Sequence, residues 1–144
     1  MSGKPVPDEQ FTVLHRHWIW ANLMRTHFDV ELKKKATGDA PEKTLAGHYG
    51  TYMCLWYSLL YSVLEVIRDK GYAVPGIEEA NDIMDPLRKF RNAVFHPQAE
   101  YWSKKFLGIW GDHDSVSKIR TVHSALGKFF LEEARKRNRT TNEK

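Results

Sequence analysis

Cysteine is all but missing from this chain of 144 residues, in which Cys54 stands alone. One thiol excludes an intrachain disulfide and a thiolate metal cluster built by a single chain, and it suits a reducing compartment. Long apolar runs are missing too. No stretch approaches the roughly 18 uncharged apolar residues of a membrane span, and Met1-Ser2-Gly3-Lys4-Pro5 carries no apolar core of a secretion signal. A cytoplasmic protein with no membrane partner is therefore expected. The motifs of several common enzyme classes are absent as well: there is no HExxH pair, no EF-hand loop, no glycine loop that cradles phosphate and no nucleophile elbow. His15 and His17 diverge on a helix, and His27, His48, His113 and His123 have no ligand-bearing sequence neighbours, so neither a metal nor another cofactor is expected. Strand-like alternation and internal repeats are likewise missing.

What is present suits one packed domain over residues 1–144, with ends at about 1–7 and 136–144 expected to be flexible. The chain is 42% hydrophobic and 12% aromatic, far from the composition of a disordered polymer. Its net charge of +4 and pI near 9.2 would help to draw in a polyanion such as RNA without demanding one. The excess gathers in Lys33-Lys34-Lys35 and in Arg135, Lys136, Arg137 and Arg139, which read first as solvated helix ends and only second as a phosphate-attracting fringe.

Apolar periodicity predicts four long helices. Phe11, Leu14, Trp18, Ala21, Phe28 and Leu32 line one face between Asp8 and about Lys35. Asp39 with Glu42 resembles a capping box that opens a second helix, whose stripe runs from Tyr52 through Leu55, Trp56, Leu59, Leu60, Val63 and Leu64 to Ile67. Met53, Tyr57 and Tyr61 give that helix a second apolar side, as a central helix requires. The run Gly71 to Gly76 breaks the pattern. A third helix is expected from about Ile77, burying Ile83, Met84, Leu87, Val94 and Phe95 and ending near His96, because the residue before Pro97 is pushed out of the helical region. Residues 98–110 read as a short helix or structured loop. Asp112 or Asp114 caps a last helix carrying Ile119, Val122, Leu126, Phe129 and Phe130, and periodicity fades from Arg135. The expected fold is all-α: an antiparallel up-down bundle of four long helices plus a short extra one. Trp18, Trp20, Tyr57, Tyr61, Trp102 and Trp110 exceed what one small core needs and are candidate anchors of a homodimer.

The chemistry concentrates at the end of the third helix, in Arg91-Asn92-Ala93-Val94-Phe95-His96-Pro97. Asn92 and His96 stand one turn apart on one face, while Arg91 is rotated by about 100° from Asn92. Because Pro97 loosens the helix at His96, the imidazole can swing toward the guanidinium, and Asn92 can fix its tautomer. RNA brings its own nucleophile, the 2′-hydroxyl, so its cleavage needs a proton acceptor and a cation and no metal. His96 would serve as base or acid, Arg91 would hold the phosphate through its planar fork, and Asn92 would orient either partner. Just beyond, Lys104 and Lys105 among Tyr101, Trp102 and Phe106 would grip the RNA backbone and stack bases, or form an ordinary amphipathic segment. The plain alternative at the motif is Arg91 paired with an acid such as Asp85 or Glu100 and His96 merely closing a helix.

An arginine, a polar residue and then a histidine after four intervening positions, late in a helical bundle, resembles the signature of the HEPN superfamily. Pairs such as Arg120 with His123 lack the adjoining asparagine and the helix-ending proline. The resemblance implies a metal-independent endoribonuclease leaving 2′,3′-cyclic phosphates, acting in a toxin, phage-defence or stress-response setting. It also implies a homodimer whose cleft joins two copies of the motif, and an antitoxin or other regulatory partner. One subgroup carries a tyrosine two residues after the histidine, where this chain has Gln98, so modification by a transferase partner at that position is not implied. A HEPN module that binds a nucleotide, RNA or protein without cutting, and a purely structural dimerisation bundle, are the competing readings.

Overall fold

The computed structural model describes residues 3–36, 48–97, 109 and 112–143. Among the described residues four helices form: α1 (Asp8–Ala36), α2 (His48–Lys70), α3 (Ala80–Phe95) and α4 (His113–Asn142). Among the described residues there is no strand, only an isolated bridge between Lys4 and Tyr72. None of these helices is long and apolar enough to cross a membrane. The capping box at Asp39 and the short extra helix both fall outside the described residues.

Local chemistry sets the boundaries. At the start of α1 the Phe11 amide bonds to the Pro7 carbonyl at 2.8 Å, and Asp8 and Glu9 place negative charge at the positive end of the helix dipole. At the end of α2, Gly71 takes a φ of 68°, which only glycine adopts cheaply. The Tyr72 amide then reaches the Ile67 carbonyl and the Gly71 amide reaches that of Arg68, the paired bonds of a Schellman stop. α3 begins at Ala80, three residues later than its periodicity suggests, with Ile77, Glu78 and Glu79 spent on tight turns. Asp112 caps α4 by accepting from the Asp114 amide.

α2 is the central helix. Trp56, Tyr57, Leu60, Tyr61 and Leu64 are wholly buried, and both of its predicted sides are used. Leu55 is the exception, lying exposed. α1 contributes Phe11, Leu14, Ala21 and Phe28, α3 contributes Ile83, Leu87 and Phe90, and α4 contributes Ile119, Val122, Leu126 and Phe130. Asp29 meets Arg120 and Phe11 meets Phe130 between α1 and α4, while Phe28 touches both Tyr49 and Trp56 of α2.

Two expectations are corrected. Phe95 does not carry the buried side of α3; it is 58% exposed and Val94 is half-buried, while Phe90 and Ala93 turn inward. The buried stripe Ala80, Ile83, Met84, Leu87, Phe90 keeps the helical period, and Phe95 lies about 140° around the axis from Phe90. The last helix does not stop where its periodicity fades but continues from Arg135 to Asn142. Arg137 accounts for this: it donates to the Val6 carbonyl at 2.8 Å, pairs with Asp8 and with Glu133, and lies 4.2 Å over the Phe11 ring. At the other end of the chain Lys4 bonds Gly71 and Ala73, and Val6 is buried.

One helix crossing rests on a missing side chain. A Cβ at Gly127 would lie 2.5 Å from Cζ2 of Trp18, whose indole N–H donates to the His123 carbonyl and whose ring stacks on that imidazole. Gly127→Ala should therefore lower stability by about 2 kcal/mol, although alanine gains about 1 kcal/mol in helix propensity. Urea denaturation decides it, and a stabilised variant would show that Trp18 moves freely.

Candidate functional site

α3 delivers its chemistry in its last two turns. Arg88, Arg91, Asn92 and Phe95 follow one another at three-four spacing and so share a face, which this helix turns away from the core. Below it stands α2. The Arg91 guanidinium lies 4.6 Å over the buried Tyr61 ring, its Nη1 sits 3.9 Å from the Glu65 carboxylate, and its Nη2 donates to Asn92 Oδ1 at 3.3 Å. The ring and the neighbouring amide restrain a side chain that would otherwise sample many rotamers, and it remains 29% exposed. Burial, together with the Glu65 carboxylate, pushes the Tyr61 phenol up, so at neutral pH it is an uncharged platform.

His96 occupies the closing position of α3. Its backbone is extended, with φ −121° and ψ 99°, as a residue before proline must be, and its amide still bonds the Asn92 carbonyl at 2.9 Å. The side chain is exposed at the helix tip. Thus Arg91 and Asn92 are in direct contact, and His96 adjoins them through the backbone. The Asn92 side-chain oxygen accepts from Arg91. Asp85, one acid considered for Arg91, binds Arg88 at 2.7 Å and Lys89 at 3.1 Å. Glu65 takes that place, which the sequence did not announce. Its only signal is the four-residue spacing from Tyr61, which puts both on one face of α2. Tyr101, Trp102, Lys104, Lys105 and Glu100 lie outside the described residues.

A second polar cluster, which sequence reading passed over, lies between α1, α2 and α4. His123 is buried and its Nδ1 accepts from the Trp56 indole N–H at 3.1 Å. An indole can only donate, so the imidazole proton sits on Nε2, which donates to Asn22 Oδ1 at 3.0 Å. The same oxygen accepts from Arg25, which with Arg120 clasps Asp29 at 2.7 Å each. Burial, reinforced by the Arg25 and Arg120 charges and opposed by Asp29, lowers the His123 pKa to about 4. Burial works to raise Asp29, and the hydrogen bonds and charges of Arg120 and Arg25 overcome it, holding that carboxyl below its usual value. Trp56, His123, Asn22, Arg25, Asp29 and Arg120 are thus linked in series, and such a network stiffens the bundle. Among the described residues no three His, Cys, Asp or Glu side chains gather to hold a metal ion.

No family model, no curated protein and no solved structure matches this chain.

Proposed function

We propose that the chain is a metal-independent endoribonuclease of HEPN type, built on an antiparallel up-down bundle, with Arg91, Asn92 and His96 as its working residues. The observation that carries this reading is the end of α3, where a half-exposed guanidinium braced by Asn92 and Tyr61 adjoins an exposed imidazole on the pre-proline turn. Arg91 binds a non-bridging phosphate oxygen pair. His96 takes the proton of the 2′-hydroxyl, the 2′-oxygen bonds to phosphorus, and the bond from phosphorus to the 5′-oxygen breaks. The leaving oxygen needs a proton, which the His96 of a second copy across a shared cleft would donate. The expected products carry a 2′,3′-cyclic phosphate and a free 5′-hydroxyl.

End-labelled RNA incubated with the protein in EDTA tests this. Cleavage is expected, and intact RNA across pH 5 to 9 defeats the proposal. Glu65 supports a second reading, because a carboxylate already near Arg91 suits a module that binds an anion without cutting it. Tight RNA binding without cleavage selects that module. Under either reading Glu65→Gln removes a competitor for the guanidinium. It should tighten RNA binding about threefold, the scale of a half-exposed pair, as read by fluorescence anisotropy.

A further inference from the structure

Helix α1 is apolar on two sides, and only one of them faces the bundle. Six of the nine large hydrophobic side chains exposed among the described residues belong to it: Val13, Ile19, Trp20, Leu23, Val30 and Leu32. Four of these, Val13, Trp20, Leu23 and Val30, fall with Arg16 and His27 on steps of three and four residues, the spacing of a helix-pairing seam. At 100° per residue this seam lies opposite the buried stripe of Phe11, Leu14, Ala21 and Phe28. Leu23 is 50% exposed and Trp20 44%, with Arg16 and His17 packed on the Trp20 ring.

The seam is complementary to itself when reversed. With a two-fold axis level with the Ala21–Asn22 peptide, Val13 meets Val30 of a second copy, Trp20 meets Leu23, and Arg16 meets His27, whose ring stacks on Tyr52 of its own chain. The next seam positions outward are Glu9 and Lys34, and reversal brings this acid and this base together at both ends. Opposed helices also set opposite dipole ends side by side. A parallel pair would instead face Glu9 with Glu9 and Lys34 with Lys34.

We infer that the outer face of α1 is the docking surface for a second copy of this chain, with the two α1 helices packed antiparallel along a seam about 26 Å long. Of the aromatic residues considered as dimer anchors, Tyr57 and Tyr61 are sealed in the core and Trp18 packs on His123, which leaves Trp20 among the described ones. Apart from His27, which stacks on Tyr52 of α2, the seam residues are exposed on α1 and none belongs to the Arg91–His96 run, so the two surfaces can be altered separately. It stands or falls apart from the nuclease reading.

Light scattering and sedimentation on the full chain test it. The chain mass is 16.8 kDa, and an assembly of at least twice that is expected. Leu23→Glu and Trp20→Glu should each weaken association roughly 100-fold, because an isologous interface feels every substitution twice. Leu131→Glu, equally exposed but on α4, should leave the mass unchanged. Circular dichroism should show full helicity in all three. For direction, a spin label on Lys33→Cys in a Cys54→Ser background should report labels about 35 Å or more apart, set by the 1.5 Å rise per residue. A monomeric wild-type chain, a Leu23→Glu variant of unchanged mass, or labels within about 15 Å overturns the inference.

Discussion

Acidifying this protein from pH 6.5 to pH 4 should remove about 3 kcal/mol of its stability, because His123 holds its place only while neutral. In the fold its Nδ1 accepts from Trp56, so a proton there would break that bond and put a charge beside Arg25 and Arg120. The folded pKa of about 4 lies below the ordinary 6.5, so the unfolded chain binds a proton first on acidification. The contribution is therefore complete above about pH 6.5, shrinks as the pH falls, and is gone near pH 4. His15, stacked on Phe130 and lowered by burial, adds in the same direction. His123→Gln keeps a donor and an acceptor but cannot titrate. It should be less stable at pH 7 and show a flatter profile between pH 6.5 and 4 in urea denaturation. A wild-type profile already flat across that range would contradict the assignment of the buried tautomer.

Replacing His96 with alanine should cost RNA cleavage between about 100-fold and 10,000-fold, the scale of losing a proton-transfer group. Its side chain is exposed at the end of α3, so the thermal midpoint should hardly move. Arg91→Ala should weaken cleavage comparably and also lower affinity. Arg91→Lys should recover affinity in part and rate little, since an ammonium keeps the charge but loses the planar fork and its stacking on Tyr61. Equal loss of activity and of fold in His96→Ala would reduce the motif to a helix stop.

What could be read from the sequence was local. Pro97 dictates an extended His96 and the end of α3, Gly71 permits the left-handed stop of α2, and the Asp112 side chain lies within reach of the amide it caps. Each depends on a few adjacent residues. The misread features are tertiary. The exposure of Phe95 follows from which side of α3 meets α2, and α4 extends past Arg135 because Arg137 finds Val6 and Asp8 more than a hundred positions away. Arg120 and His123 looked isolated because their partners, Asn22, Arg25 and Asp29, lie on a helix at the other end of the chain. Glu65 beside Arg91 is of the same kind. The run Arg91-Asn92-His96 stood out by its adjoining asparagine and helix-ending Pro97, whereas the Tyr61 ring and Glu65 beneath Arg91 could be seen only in the fold.

The nuclease reading turns on whether the attacking oxygen comes from the RNA itself. Mass spectrometry of the fragments formed in EDTA, from an RNA strand and from the same sequence made as DNA, measures this most directly. RNA fragments ending in a 2′,3′-cyclic phosphate, with the DNA strand untouched, are expected. Cleavage of both strands, or fragments of RNA ending in a 3′-hydroxyl, would contradict it.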